Sequence, residues 1–421
     1  MIRREILKEV LLDNRNEVVK HQVIPRSFQF EEFGNYVFVG IRRAGKSFLL
    51  YQRIQELLHN GHTWNEMLYV NFEDERLIGM TAADLNLILE VHAEMSTDRP
   101  MLFLDEIQNI DGWDKFVRRL ADNKYRAYVT GSNAKMLSQD VATTLGGRYI
   151  TVHVYPYDFK EFLYANGVEV TENSLFATES RAEIKRIFND YFRSGGFPEG
   201  ASLAAKRDYL TSVYQKIYLG DIAARHSIEN TFALRILFRK LAESIKQPVS
   251  FTRITIVAST GVKISKNTVI NYMEYAKDAC LLIPIQNIAD KLVERETNPK
   301  YYFADNGILN LLLLDADTSL LENLVAVTLL RRYGTDDAVF FYNRNVEVDF
   351  YLPDTGVAIQ VCYTMNLSDE TFQREVQALV KLNKVFECRQ LLIITYDDEE
   401  RIELEKCAIE VIPVWKWLLG K

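Results

Sequence analysis

The feature that most constrains the fold of this chain is the stretch YVFVGIRRAGKSFLLYQRIQELL, which begins at Tyr36. An apolar strand runs into the spacing G-x-x-x-x-G-K-[ST] and then into an amphipathic helix, which is the setting in which this spacing forms a phosphate-binding loop. Backbone N–H groups of such a loop surround a phosphate, and the helix N-terminus adds its positive end. The alternative, a chance glycine-rich turn, does not account for both flanking elements. The predicted nucleotide-binding residues of the loop are Gly40, Ile41, Arg42, Arg43, Ala44, Gly45, Lys46, Ser47 and Phe48.

The end of this motif and a second apolar strand supply the candidate catalytic and metal-binding groups. Lys46 is expected to reach the β- and γ-phosphates, and Ser47 to offer a hydroxyl to Mg²⁺. The strand Met101 to Leu104 is unbroken apolar, as a strand buried on both faces should be, and it ends in Asp105 and Glu106. We expect Asp105 to hold Mg²⁺ through water and Glu106 to deprotonate the attacking water. A pair of acids that only caps the strand is the structural alternative.

Two further polar positions follow the next predicted strands. Tyr125 to Thr130 is predicted as a strand, and Ser132 and Asn133 after it could hydrogen-bond a γ-phosphate or the attacking water. Arg148 precedes another strand and could reach a phosphate of a neighbouring subunit. A common turn and a surface arginine are the respective alternatives.

This order of motifs resembles the AAA+ superfamily of ATPases. GIRRAGKS, LDEIQ, TGSNA, LGGRY and YPYDFKEF are similar, more narrowly, to a prokaryotic AAA+ family of ATP-binding proteins with a C-terminal domain of unknown function. The resemblance extends over nearly the whole chain and implies ATP and Mg²⁺ as ligands. A finger role for Arg148 would need a homo-oligomer. The resemblance implies nucleotide roles for Lys46, Ser47, Asp105, Glu106 and one of Ser132 and Asn133.

The middle of the chain is predicted to be helical from about Glu161, with an interruption at Gly195-Gly196-Phe197-Pro198. This interruption resembles the Gly-x-Pro turn of AAA+ lids, which would place Pro198 near the adenine. The alternative is an ordinary turn between helices, because both dipeptides are typical of loops.

Residues 231–300 indicate a winged helix, a module that either contacts DNA or packs against protein. Ser250 and Ser265 are predicted N-caps of its second and third helices, and the segments IPIQNI and KLVERE are predicted to form the wing. If the module binds DNA, the start of the third helix should enter the major groove. The candidate DNA-contacting residues are Lys266, Asn267 and Thr268, with Lys263 and Arg253 nearby.

The last region, in which a helix, two or three strands, a helix and a strand are predicted, indicates an α/β domain. It resembles the PD-(D/E)xK nuclease fold, in which a helix acid, a strand acid and an acid-x-Lys segment hold Mg²⁺ and assist the attacking water. Glu322 and Asp349 match the two acids, whereas Gln360 and Cys362 stand where the third acid and the lysine are expected. A neutral amide is a weaker ligand for Mg²⁺, and a thiol carries no positive charge at neutral pH. The resemblance therefore implies a degenerate corner, with an active nuclease as the alternative.

Composition places these parts in an α/β chain of 421 residues that is long enough for several domains. Residues 301–421 hold 11 Lys and Arg against 20 Asp and Glu, which argues against a general grip on DNA there. Four scattered cysteines and the absence of a signal-like or membrane-spanning apolar run favour a cytoplasmic protein without membrane contact. The predicted domains are a P-loop AAA+ core with a parallel sheet flanked by helices (1–162), a helical lid (163–230), a winged helix (231–300) and a nuclease-like α/β domain (301–421).

These features predict a slow Mg-ATPase that acts as a switch on its appended domains. The alternatives are an ATP-dependent DNA-processing factor or nuclease, and a protein-interaction module that binds ATP or ADP without hydrolysis and has an unidentified protein partner.

Overall fold

The structure, a computed structural model, describes residues 2–132, 136, 139–171, 173–259, 263–334, 337–365 and 370–420. It forms two compact units, residues 1–155 with 278–280 and residues 156–277 with 281–421. Among the described residues, no helix combines the length and the apolar character needed to cross a bilayer. The boundaries of the four predicted domains stay predictions.

The first unit is built on a five-stranded parallel sheet with the strand order β2-β3-β4-β1-β5. Parallel strands need crossover connections, and a helix follows each of the strands β1 to β4 along the chain. The elements are α1 (Arg4–Lys20), β1 (Tyr36–Val39), α2 (Lys46–His59), β2 (Met67–Asn71), α3 (Asn86–Met95), β3 (Met101–Asp105), α4 (Trp113–Asp122), β4 (Ala127–Gly131), α5 (Gln139–Leu145) and β5 (Ile150–His153).

The burial of the central strands explains their sequences. Every residue of β1, β3 and β4 is buried, and their apolar residues follow one another without alternation up to Asp105 in β3 and Thr130 in β4. Val37, Leu102 and Val129 belong to one hydrophobic core, which the helices of this unit complete. β5 is mostly exposed and forms one edge of the sheet. The carboxyl ends of β1, β3 and β4 therefore lie side by side, which is where ligands bind in open parallel sheets.

The second unit begins with helices. Two of these helices begin at the predicted N-caps. Ser250 Oγ accepts a hydrogen bond from the Arg253 N–H at 3.5 Å, and Ser265 Oγ accepts one from the Thr268 N–H at 3.0 Å, which confirms both caps. The helices are α6 (Phe159–Ala165), α7 (Thr178–Ser194), α8 (Lys206–Gln215), a π-helix (Lys216–Ala224), α9 (Thr231–Glu243), α10 (Phe251–Ala258) and α11 (Lys266–Asp278).

An eight-stranded mixed sheet completes this unit, with the order β12-β13-β11-β10-β9-β8-β6-β7. Val348, Leu379 and Ile393 belong to the core that packs against one part of it. The elements are β6 (Leu282–Asn287), α12 (Leu292–Thr297), β7 (Lys300–Phe303), α13 (Asn306–Leu312), α14 (Asp317–Tyr333), β8 (Phe340–Asn343), β9 (Glu347–Leu352), β10 (Val357–Val361), α15 (Glu370–Phe386), β11 (Gln390–Thr395), β12 (Glu400–Glu403), β13 (Ala408–Pro413) and α16 (Val414–Leu418).

The predicted wing is wrong in one half. IPIQNI lies in β6, but KLVERE lies in the helix α12 rather than in a strand. Leu, Glu and Arg favour a helix, and the Arg295 guanidinium fixes this one by donating to the carbonyls of Ile288 at 2.8 Å and Asp290 at 3.0 Å. β6 pairs with β7 on one side and with β8 on the other, so it belongs to the large sheet.

Candidate functional site

The loop between β1 and α2 has the backbone geometry of a phosphate cradle. Gly45, the residue before α2, has φ 93°, a left-handed conformation that glycine adopts without strain. Lys46 opens the helix, and its buried ammonium donates to the carbonyls of Gly40 at 3.1 Å and Ile41 at 3.2 Å. Lys46 is therefore folded back onto its own loop, in a position where a phosphate oxygen could replace the carbonyls as its partner.

Neighbouring side chains hold this loop from outside. The Arg26 guanidinium donates to the Ala44 carbonyl at 3.1 Å and to the Tyr155 carbonyl at 2.7 Å. Arg42 within the loop forms an ion pair with Glu73, with 3.1 Å between Nη1 and Oε1. These contacts fix the loop at the end of the sheet before any ligand is bound.

Asp105, the last residue of β3, has a buried carboxylate that is surrounded by hydroxyl donors. The Tyr69 hydroxyl donates to Oδ2 at 2.9 Å, and the Thr130 hydroxyl donates to Oδ1. Ser47 is also hydrogen-bonded to this carboxylate. Burial first, and then the neighbouring Glu106 carboxylate, raise the pKa of Asp105 to about 6. A nearby cation would therefore favour the ionised carboxylate strongly.

Glu106 lies just after β3 with φ 53°, a left-handed conformation that is uncommon for a residue other than glycine. Its carboxylate lies 3.6 Å from Lys46 Nζ, and it accepts hydrogen bonds from the Ser132 backbone N–H at 3.2 Å and from the Gln108 amide. Burial acts to raise the pKa of Glu106, but Lys46, and then Gln108 and Ser132, outweigh it, and the net shift is downward. Glu106 is therefore held as a carboxylate, the form that a general base needs.

The groups that Mg²⁺ and a phosphate need are thus present together. Ser47 offers a hydroxyl and Asp105 a carboxylate, and hard oxygen atoms of these kinds are the ligands that Mg²⁺ prefers. The loop and the start of α2 offer backbone N–H groups and a helix N-terminus to a phosphate. The residues fit both groups chemically.

Three residues of this site were missed by the sequence reasoning: Tyr69, Thr130 and Gln108. Thr130 is the next-to-last residue of β4, two residues before Ser132, and Gln108 stands two residues after Glu106. Their positions along the chain were therefore a signal for both. Gln108 Nε2 also approaches the Ser132 hydroxyl at 3.4 Å and so links two of the predicted residues. Tyr69 lies on a different strand, and no local pattern pointed to it.

A second cluster of polar residues lies in the second unit, where the nuclease-like corner was predicted. The structure brings Glu322 on α14, Asp349 on β9 and Gln360 on β10 to one cavity of about 940 Å³. The Asp349 backbone N–H donates to Gln360 Oε1 at 2.7 Å. Cys362 instead packs in the hydrophobic core, and burial raises the pKa of its thiol to about 11. Lys300 on β7, which the sequence reasoning missed, contributes a buried ammonium group to this corner.

The chain matches two family models and is similar in sequence to two known proteins over most of its length. A model described as an AAA domain matches residues 33–163, and one described as a domain of unknown function (DUF8612) matches residues 185–319. The uncharacterized protein MJ1544 of Methanocaldococcus jannaschii is 35% identical over 437 residues, which cover 100% of this chain and 96% of that protein. An uncharacterized protein of Haemophilus influenzae is 30% identical over 393 residues, covering 91% of this chain and 94% of its own.

The chain belongs to the same family as these two proteins. Its AAA domain contains the loop, the acid pair and the residues Tyr69, Thr130 and Gln108. Among solved structures, Cdc6p from Pyrobaculum aerophilum matches with 13% identity and a TM-score of 0.27, covering 68% of this chain and 87% of that one, a likeness too low to carry an argument. The expected AAA core is confirmed, and the nuclease-like relation of the C-terminal region stays a prediction.

The remaining predicted residues have varied surroundings. Arg148, in the AAA domain, forms an ion pair with Asp122, with 2.6 Å between Nε and Oδ1, and its finger role stays a prediction. Phe48 packs edge-on against His21 with 5.4 Å between ring centroids. Asn133 lies outside the described residues.

The Gly-Gly-Phe-Pro interruption has a local structural role. The Gly196 N–H donates to Asp305 Oδ2 at 2.8 Å, and a Cβ on Gly195 would lie 1.9 Å from Asp305 Oδ1. Pro198 opens a short 3₁₀ helix after this turn. Tight packing against Asp305 therefore explains Gly195, and the Tyr157 carbonyl oxygen, which would lie 2.1 Å from a Cβ on Gly196, explains Gly196. The adenine contact of Pro198 stays a prediction.

Proposed function

We propose that this protein binds Mg-ATP in its AAA domain and hydrolyses it slowly, as a nucleotide-dependent switch. One observation carries the proposal: Lys46, Asp105, Glu106 and Ser132 converge at the carboxyl ends of three adjacent parallel strands. Phosphoryl transfer to water needs a cation that binds phosphate, an acid that binds the metal ion and a base that is held in position, and this edge of the sheet offers all three.

The proposed reaction follows from the positions of the side chains. Lys46 leaves the carbonyls of its own loop and binds phosphate oxygens. The phosphate oxygens are the stronger partners because they carry negative charge, whereas the carbonyls are neutral. Ser47 and Asp105 would hold Mg²⁺, which would supply positive charge next to the phosphates. Glu106 then accepts a proton from the attacking water, and Ser132 helps to position that carboxylate through its N–H.

Slow turnover is proposed because Glu106 is engaged before any substrate arrives. Lys46, Gln108 and Ser132 all interact with its carboxylate. At least the contact with Lys46 must be exchanged for phosphate before the carboxylate can receive a proton from water. This rearrangement adds a step before the chemistry.

ATP turnover in wild type, Lys46→Ala and Glu106→Gln tests the proposal. We expect both variants to lose at least about tenfold in kcat, because each removes a charged group that acts in the transition state. Lys115→Ala and Glu9→Gln are matched controls, since both side chains are exposed and lie outside the site. Equal turnover in all five proteins would contradict the proposal.

A protein that binds nucleotide without hydrolysing it gives a distinct result. Such a module would bind a fluorescent ATP analogue, lose that binding in Lys46→Ala, and show no phosphate release above the background of the Glu106→Gln variant. Binding and turnover are therefore measured on the same preparations.

We propose that the switch acts on the second unit. Contacts with a γ-phosphate commonly order segments next to a nucleotide site, and hydrolysis releases these segments. Glu106→Gln in ATP should accumulate the ATP-bound state, whereas Lys46→Ala should not reach it. A protein partner that is captured by Glu106→Gln with ATP, and not by Lys46→Ala with ATP, would support the switch. Equal capture by both variants would contradict it.

DNA binding by α11 is a second candidate, favoured by exposed basic groups. Lys263, Lys266 and Arg253 are exposed at the start of α11 and on α10. Affinity for duplex DNA should then fall steeply with salt concentration, and the double variant Lys263→Ala/Lys266→Ala should reduce both the affinity and the salt slope. Unchanged binding in that variant would exclude this helix.

The nuclease-like corner is proposed to be inactive. Gln360 stands where an acid is expected, and Cys362 lies in the core rather than in the cavity. We expect no Mg²⁺-dependent DNA cleavage by the wild-type protein. Cleavage that is lost in Asp349→Ala would show an active nuclease instead.

A further inference from the structure

Lys300, the first residue of β7, carries a fully buried ammonium group in the C-terminal corner. Its Nζ lies 3.1 Å from Glu347 Oε1, 3.4 Å from Glu322 Oε1 and 3.6 Å from Asp349 Oδ1, and its side chain is 0% exposed. Lysine is almost never buried unless it is paired. Here one lysine meets three carboxylates, which come from α14 and β9.

Further hydrogen bonds fix these carboxylates in place. The Tyr302 hydroxyl donates to Glu322 Oε1 at 2.8 Å, and the Val361 backbone N–H donates to Asp349 Oδ2 at 2.9 Å. Gln360 accepts from the Asp349 N–H at 2.7 Å. Glu322 and Asp349 are therefore held in defined directions within a connected network, and the half-exposed Glu347 joins it through Lys300.

The ammonium occupies the place that a divalent cation would take between these acids. Carboxylate oxygens are the protein groups that hold Mg²⁺ or Mn²⁺, and Glu322 and Asp349 both direct an oxygen toward Lys300 Nζ. A divalent ion bound to the same two oxygens would lie within a few ångströms of a fixed positive charge. Beside side chains as buried as those of Lys300 and Glu322, that repulsion is larger than the same repulsion in bulk solvent.

We propose that the Lys300 ammonium is the resident cation of this corner and holds Glu322, Glu347 and Asp349 together in place of a divalent metal ion. The inference is independent of the ATPase proposal. It also gives a reason for the amide at position 360: Gln360 Nε2 donates to the Glu375 carboxylate, and an acid at 360 would instead place a further negative charge beside Glu375 and the three carboxylates that face Lys300. A neutral Gln360 bridges the strands without that cost.

The charge states agree with this role. Burial lowers the pKa of Lys300, but the carboxylates of Glu322, Asp349 and Glu347 outweigh it, and the net shift is upward. The ammonium is therefore charged at neutral pH. Burial raises the pKa of Glu322 and of Asp349, and Lys300 opposes this shift in both. Without Lys300 these acids would lack their main counter-ion.

The test is the response of unfolding to millimolar Mn²⁺ in nucleotide-free protein. Lys300→Met should lower the unfolding midpoint, and Mn²⁺ should restore it in part, because the metal ion then replaces the ammonium. At a hundredfold excess of metal over its Kd the rise should be roughly 3–5 °C. Lys300→Met/Glu322→Gln should lose this response. Lys381→Met is the matched control, since Lys381 is an exposed lysine on the lining of the same cavity, and it should behave like wild type.

Wild type and Glu322→Gln complete the experiment. Both proteins retain Lys300, so neither should bind Mn²⁺ in this corner. Any Mn²⁺ that binds elsewhere is common to both, and titration calorimetry should therefore give the same binding for the two proteins. Binding in wild type that Glu322→Gln abolishes would overturn the inference, as would a folded Lys300→Met protein that does not respond to Mn²⁺. If Lys300→Met does not fold, the comparison of wild type with Glu322→Gln decides alone.

Discussion

The amide of Gln108 should set both the rate and the pH dependence of ATP hydrolysis, although it is not expected to touch the substrate. Gln108 Nε2 donates to the Glu106 carboxylate and approaches the Ser132 hydroxyl at 3.4 Å. Gln108 Oε1 is buried and lies close to Gly131, where a Cβ would be only 2.6 Å from it. Gln108→Ala would remove one hydrogen bond from the proposed base and leave the contacts with Lys46 and Ser132 in place.

The size of the effect follows from the kind of bond that is lost. A hydrogen bond to a charged group contributes about 1.5–3 kcal/mol. If that stabilisation is needed to hold Glu106 in the reactive orientation, kcat should fall roughly 10- to 150-fold, since each 1.36 kcal/mol corresponds to a factor of ten. Nucleotide affinity should change little, because Gln108 contacts neither the loop nor the start of α2 among its described contacts.

The pH profile separates positioning from general damage. The Gln108 N–H is one of the groups that lower the pKa of Glu106. A base works when it is deprotonated, so turnover rises as the pH passes upward through its pKa. Loss of the donor raises that pKa, and the acid limb of the kcat profile should move to higher pH in Gln108→Ala. It should move further in Gln108→Glu, which places a second carboxylate beside the first.

The assay is phosphate release as a function of ATP concentration and pH, with nucleotide affinity measured in parallel. Gln55→Ala is the matched control: this glutamine of α2 donates to the carbonyls of Val18 and His21, outside the site. Unchanged kcat and an unmoved acid limb in Gln108→Ala would refute the reasoning. So would a change confined to KM, which would indicate a role in binding ATP.

Two further outcomes are expected from single contacts. Gly196→Ala should destabilise the second unit by about 1–3 kcal/mol or more, because its Cβ would lie 2.1 Å from the Tyr157 carbonyl oxygen. Thermal unfolding measures this, and Gly220→Ala, whose Cβ would meet nothing within 3.4 Å, should be near neutral. The Tyr69 hydroxyl donates to Asp105 at 2.9 Å, and this hydrogen bond lowers the pKa of Asp105. Tyr69→Phe removes the donor, so the pKa of Asp105 should rise above about 6. Mg-ATP affinity should then weaken severalfold at pH 6 and less at pH 8, and an equal loss at both would show that the hydroxyl acts otherwise.

The sequence was sufficient where a function rests on consecutive residues. Tyr36 to Val39 forms the strand that its apolar run predicted, and the loop after it enters a helix at Lys46. Both N-caps at Ser250 and Ser265 were also predictable, because a cap acts within three residues of chain. In these segments the local pattern and the tertiary structure favour the same conformation.

Prediction failed where the decisive partner is distant along the chain. Lys300 meets Glu322 and Asp349 only because β7, α14 and β9 pack together, and no spacing rule connects these residues. Tyr69 reaches Asp105 because β2 and β3 are neighbours, with Asn71 opposite Asp105 in the register. KLVERE was misassigned for another reason: a short segment of mixed polar and apolar residues is compatible with both a strand and a helix.

The surroundings of Lys46 and Lys300, both buried, suggest why one site is suited to switching and the other is not. Lys46 has one carboxylate at 3.6 Å and two carbonyl acceptors, and a polyphosphate can displace such weak partners. Lys300 is surrounded by three carboxylates at 3.1 to 3.6 Å and is fully buried, so an incoming ligand would have to replace three charges at once. Breaking a buried ion pair on one side costs about 3–5 kcal/mol. Exchange of partners is therefore expected at Lys46, where it would release Glu106 for catalysis, and a fixed structural role is expected at Lys300.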